Sequence, residues 1–320
     1  MNRTSAALGV VALLTLVAPA AAEWPNDRPI KLVVGFGVGG GTDIVSRIVA
    51  QPLSELLHQT IIVENKPGAG GAIAGDQVAR ADKDGYTATM LSVGHAVSAV
   101  MVKAVRYDAV KDFAAVAQVA DSSLVVVARK DFPANDIKGL IELAKASPGK
   151  LNVASVGLGS SQHFAGVLLS QMAGIDVKQI AYRGTPGVIT ALLAGECDYG
   201  VELMHAVYGQ VQAGQLKMLA VAGPSRWPAT PNVPAVADTV PGYSVLGWYG
   251  WAYPAGTPQP IIDKTNAALK IILARPEVQE QLGHAGAIVH FSTPDDFGKL
   301  IAGEVDKWRA VRDKAGLEAN

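Results

Sequence analysis

Residues 31–57 read KLVVGFGVGGGTDIVSRIVAQPLSELL, and their order decides the fold class. Leu32-Val33-Val34 is a short apolar run with the length of a buried strand. The glycine-rich turn Gly35-Phe36-Gly37-Val38-Gly39-Gly40-Gly41 follows, and Thr42 and Asp43 stand where a helix would be capped. Ile44, Val45, Ile48, Val49, Leu53, Leu56 and Leu57 then recur at helical spacing, with Pro52 expected to kink that helix or remove one of its hydrogen bonds. Strand, bare loop and helix start together form an anion site, because the free N–H groups of a first helical turn point at whatever approaches the glycines. Gly35-x-Gly37-x-x-Gly40 also satisfies the dinucleotide fingerprint, with Glu64 24 residues beyond Gly40. An NAD-dependent oxidoreductase is therefore a rival reading, as is a ligand-free tight turn.

Upstream, Arg3 is the one charge before Glu23, Ala6–Ala18 is apolar, and Ala20-Ala21-Ala22 supplies small residues. This is the pattern of an export signal cut after Ala22. The apolar run is shorter than the roughly 20 residues that span a bilayer. A formal net charge of −1, one unit lower once Arg3 leaves with the signal, gives no support for a nucleic-acid partner. Cys197 is the only cysteine and reads as a small buried residue, and the six histidines have no zinc spacing.

Downstream, strand and helix alternate, as in a parallel α/β sheet. Ile61–Val63, Tyr86–Ser92, Leu124–Ala128, Leu151–Ala154, Asp198–Val201, Leu216–Ala222 and Val245–Pro254 read as strands. His95 follows the third of the early strands, at the end where open sheets bind ligands. A second loop, Ser155-Val156-Gly157-Leu158-Gly159-Ser160-Ser161-Gln162-His163, repeats the logic of the first 120 residues on. A third, Tyr182-Arg183-Gly184-Thr185-Pro186, places Thr185 to cap a helix over 187–194. Glu202 ends a strand and reads either as a ligand-facing carboxylate or as a hinge hydrogen bond. Trp248, Tyr249 and Trp251 could wall a pocket or fill the core. Long amphipathic helices are expected from Thr257-Pro258 and over Pro294–Ala315.

Over essentially all of the exported chain these residues resemble the extracytoplasmic solute receptors of tripartite tricarboxylate transporters, the Bug family. The likeness rests on WPNDRPIKLVVGFGVGGGTDIVSR, VENKPGAGGAIAGDQVARADKDGYT, YDAVKDFAAVAQVA, SVGLGSSQHFAG, YRGTPGVITALLAGECDYGVE, GQLKMLAVAGPSRWPATPNVPAVADT and WYGWAYPAGTP. It implies a two-domain α/β periplasmic binding protein of the type II, Venus-flytrap kind, with a central sheet in each domain and a hinge. Domain I is expected over 23–123 plus 245–320 and domain II over 124–244.

The resemblance implies a receptor, not an enzyme, that holds a small carboxylate and hands it to a membrane permease, as a monomer without a cofactor or metal. A di- or tricarboxylate, an aromatic acid and an acidic amino acid are all open, and an exported sensor for a membrane kinase is the alternative role. The ligand-binding residues it implies are Phe36, Gly37, Val38, Gly39, Gly40, Gly41, Thr42 and Asp43 on one side. On the other are Ser155, Gly157, Ser160, Ser161 and His163, with Tyr182, Gly184, Thr185 and Glu202 nearby. The chain departs from the family at Gly35 and Val38, where prolines are usual, and at Glu202, where aspartate is usual.

Overall fold

A computed structural model describes residues 24–157, 160–182 and 184–319. The stretch read as an export signal, together with Leu158, Gly159 and Arg183, lies outside the described residues. The first segment alternates as expected: β1 (Ile30–Val34), α1 (Gly41–Leu57), β2 (Ile61–Asn65), a 3-10 turn (Ala69–Gly71), α2 (Ala72–Ala79), β3 (Thr87–Ser92) and α3 (Val93–Met101). β1 lies between β2 and β3, parallel to both. Pro52 sits inside α1, which continues through it as one element.

β4 (Phe113–Arg129) is the strand on which the molecule turns. At 17 residues it is about 55 Å long, three times an ordinary strand. Its first part pairs antiparallel with β9 (Leu246–Pro254) as far as Ser123, and with the short β10 (Ala287–Val289). From Leu124 onward it pairs instead with β7 (Tyr199–Leu203) and β8 (Leu216–Val221). The valines of that second part are fully buried, as a strand covered on both faces requires.

Between these strands run α4 (Ile137–Ala146), β5 (Asn152–Val156), α5 (Ser161–Ala173), β6 (Lys178–Tyr182), α6 (Gly184–Leu193) and α7 (Met204–Gln212). The chain closes with α8 (Gln259–Leu273), α9 (Pro276–His284) and α10 (Pro294–Ala315). The sheet order is β2-β1-β3-β9-β4-β7-β5-β6, with β8 and β10 also on β4. Each flank is parallel, whereas the centre, where β4 and β9 meet, is antiparallel. The expectation of a parallel sheet thus holds for the flanks alone.

α10 begins where its sequence says, with Thr293 capping Asp296 N–H and Pro294 at the first helical position. Its apolar stripe is not spent on one sheet. Trp308 meets Phe164 of α5 edge-on, with ring centroids 5.6 Å apart, while Phe297 meets Trp248 of β9. Arg312 donates to Val100 O at the end of α3. One apolar core therefore runs from β3 and α3 through α10 into α5 and α4.

Candidate functional site

Four helices begin at the wall of one cavity of about 630 Å³ lying between the two parts of β4's sheet. α1 contributes Gly40, Gly41 and Thr42; α3 contributes Ser92, Val93 and Gly94; α5 contributes Ser160, Ser161 and Gln162; and Leu203, the N-cap of α7, completes the set. No side chain caps α1, α3 or α7, and at α5 the Ser160 hydroxyl accepts from His163 N–H at 3.1 Å. Each N-terminus offers unpaired N–H groups and the positive end of a helix dipole, worth ~0.3–1 kcal/mol to an anion. Four of them make an electropositive pocket without a cation: among the described residues that line it there is no lysine or arginine.

Of the residues implied by the family resemblance, six stand on this wall: Phe36, Gly40, Gly41, Thr42, Ser160 and Ser161. Gly37, Val38 and Gly39 do not, and Val38 is 77% exposed. Asp43 lies beneath the loop as a strut. Its carboxylate accepts from Gly39 N–H at 2.9 Å, from Arg47 Nε at 3.0 Å and from Asn65 Nδ2 at 2.9 Å. The N-cap of α1 is Gly40, so neither Thr42 nor Asp43 caps the helix. Burial works to raise the Asp43 pKa, but the bonds from Arg47, Gly39 and Asn65 outweigh it and hold the carboxyl below its ordinary value. Gly35, where the family resemblance expects proline, is held closely. A Cβ there would stand 2.7 Å from Gly71 Cα, so the two chain segments touch backbone to backbone.

The second loop divides in the same way. Ser155 is buried off the cavity with its hydroxyl unpartnered, and Gly157 donates to Tyr182 O at 3.1 Å with φ at 64°. His163 is buried against Phe164, which lowers its pKa. Tyr182 turns its hydroxyl to Cys197 Sγ and Glu196, and Cys197 is buried. α6 starts at Gly184, earlier than its sequence suggests, so Thr185 sits in the first turn and does not cap a helix over 187–194. The Thr185 hydroxyl donates instead to Glu202 Oε2 at 3.0 Å.

Glu202 is fully buried within β7, directly behind the Leu203 that lines the cavity. Burial pushes its pKa up to about 7, which Thr185, the Leu203 N–H and Gln162 only partly offset, and Oε1 completes no hydrogen bond of ordinary geometry. His95 is also off the cavity. It stacks on Tyr107, bonds Ala109 O at 2.9 Å, and burial takes its pKa down to about 4.

Among the wall residues that sequence reading misses are Ser98, Met101 and Val102 of α3 and its end, Ala69 and Gly70 of the 3-10 turn, Ser122 of β4, Leu203 of β7 and Gly247 of β9. Ser98 donates to Gly70 O at 2.7 Å, which ties the turn to α3, and the Phe36 ring lies over Gly94. Trp248 and Tyr249 do wall the pocket, and Trp251 is core. No motif marks α3. Its line along the cavity follows from the pairing of β3 with β9.

Helix starts gathered on a cavity that a long shared strand crosses are the arrangement expected of a solute-binding protein. The profile described as tripartite tricarboxylate transporter family receptor matches residues 45–317. BugT of Bordetella pertussis is 31% identical over 322 aligned positions, covering 99% of each chain. The solved structure of the periplasmic binding protein BugD is 34% identical with a TM-score of 0.78, covering 91% of this chain and 99% of that one. That of Rpa4515 of R. palustris with adipate is 30% identical with a TM-score of 0.82, covering 92% and 99%. The chain belongs to the tripartite tricarboxylate transporter receptor family, and its fold is that of the periplasmic substrate-binding proteins.

Proposed function

We propose that this protein captures a small carboxylate in the cavity between the two parts of its sheet and delivers it to a tripartite-type membrane permease. The convergence of four helix starts on one cavity, with no lysine or arginine among its described lining residues, carries this reading. A relative's structure holding adipate supports the choice of a carboxylate. The wall residues Phe36, Gly40, Gly41, Thr42, Ser160 and Ser161 are assigned to the ligand, and Asp43, Thr185 and Glu202 to holding the loops that carry them.

The energetics favour movement. Four helix dipoles supply about 1–4 kcal/mol at ~0.3–1 each, and reach roughly 8, the figure for micromolar binding, only at the partly buried limit of ~2 each. Hydrogen bonds from the loops and expulsion of water add to this as the two parts close on the ligand. The division into 23–123 plus 245–320 and 124–244 accounts for this, because β4 changes partners at Ser123–Leu124. Export as a leader-cleaved monomer completes the picture.

A thermal-shift screen of refolded, ligand-stripped protein against small carboxylates tests the reading. An acid at 100 times its Kd adds about 2.7 kcal/mol of stability. A shift from NAD with silence from every acid would restore the oxidoreductase. Loss of acid uptake on deletion separates transport from sensing for a kinase.

A further inference from the structure

The cavity has a direction. Ser92, Val93 and Gly94 line it at the start of α3, Ser98 in the middle, and Met101 and Val102 at the far end. From Gly94 to Val102, which share a helix face with Ser98 and Met101 at i, i+4, i+7 and i+8, this is about 12 Å. The near end holds the starts of α1, α3 and α7, because Gly41 lies against Tyr249 and His205 and Tyr249 pairs with Ser92. The far end is the C-terminus of α3, where the dipole is negative and the last carbonyls point outward.

An anion is favoured at the first end and opposed at the second. The side chains there, Met101 and Val102, are apolar. Arg312, the cation that reaches this end of α3, is engaged by Val100 O at 3.0 Å and by Asp313 at 2.6 Å. Phe36 and Leu203, which stand by the starts of α3 and α7, and Trp248 add to the apolar lining of the cavity. A second carboxylate would be stripped of water against this surface with no lysine or arginine among the described lining residues, and Lys103, next in the chain to Val102, is exposed and does not line the cavity.

Resting on the receptor reading above, we infer that the ligand is an elongated acid with a single carboxylate, seated at the helix starts, and an apolar alkyl or aryl-alkyl body laid along α3 toward Val102. Specificity then resides at the far end of the cavity, where a dicarboxylate such as the adipate of the R. palustris relative would place its second charge.

Calorimetric titration of the refolded, ligand-free protein with octanoate, suberate, 4-phenylbutyrate and citrate tests this, with Val102→Lys as the paired variant. The expected result is octanoate or 4-phenylbutyrate binding at least tenfold tighter than suberate and citrate. Val102→Lys, at a half-buried position, should shift the octanoate-to-suberate ratio at least tenfold toward suberate. Suberate or citrate equal to or tighter than both monocarboxylates in the wild type overturns the inference and leaves the receptor standing. A ratio unmoved in a folded Val102→Lys protein overturns the placement of the ligand's far end. No binding by any of the four removes the inference, and silence across the wider acid screen removes the receptor reading with it.

Discussion

The Thr185 hydroxyl and the Glu202 carboxylate, 17 residues apart and on different elements, meet at 3.0 Å behind the wall of the cavity. The contact ties the start of α6 to β7, next to the Leu203 that lines the cleft. It also leaves an acid where water cannot solvate its charge, and that has consequences for stability against pH.

Glu202 has its pKa raised from 4.5 to about 7, so the folded state binds the extra proton. Its contribution to stability is full below pH 4.5 and is lost as pH rises to 7, by about 3 kcal/mol. His95 runs the other way. Its pKa falls from 6.5 to about 4, so its contribution is full above pH 6.5 and is lost toward pH 4, again by about 3 kcal/mol. Between pH 4.5 and 6.5 the two oppose each other. Glu202→Gln should therefore gain stability relative to wild type as pH rises through that window, and His95→Gln should gain as pH falls. Urea unfolding at pH 4.5, 5.5 and 6.5 reads both, and parallel curves for all three proteins would refute the assignment.

Asp43→Ala removes a carboxylate that holds Gly39, Arg47 and Asn65 together, and Asn65 in turn donates to Phe36 O at 3.0 Å. The loss should be about 1–3 kcal/mol of stability, the scale of a broken charged hydrogen-bond set. Ligand affinity should fall with it, since the loop carrying Gly40 and Gly41 loses its support. Chemical denaturation and titration of the same sample check it, and unchanged values in both would remove the strut.

Replacing Ser160 and Ser161 by alanine together removes the cap of α5 and a hydroxyl on the cavity wall. Stability should drop by about 1 kcal/mol for the cap. Affinity for the acid identified by thermal shift should fall more than tenfold. Binding within twofold of wild type would mean that this loop does not hold the ligand.

A Cβ at Gly41 would collide with the Tyr249 hydroxyl of β9 and lie 3.1 Å from His205 Cε1 of α7. Gly41→Ala should lower both stability and affinity by forcing these elements apart. Tyr249→Phe in the same chain should recover part of the stability, because the collision is with the hydroxyl. A double variant no better than the single one would place the strain on His205 instead.

Local chemistry determined much of this protein from sequence alone. The β1–glycine–α1 step, the second loop with its Ser160 cap and the Thr293-Pro294 start of α10 depend on residues a few positions apart, so their patterns survive without the fold. The long-range relationships did not survive in the same way. β4 reads as a five-residue valine strand because its first part, Phe113–Ser123, is alanine-rich and is held by pairing with β9. That pairing decides that α3 runs along the cavity, that Trp248 and Tyr249 face it while Trp251 packs inside, and that Glu202 is buried behind it. Sequence placed the starts of α1 and α5, since each is built by its own neighbours, but not those of α3 and α7. Only the tertiary structure decided which of them meet, because register and burial are set by strands more than a hundred residues apart.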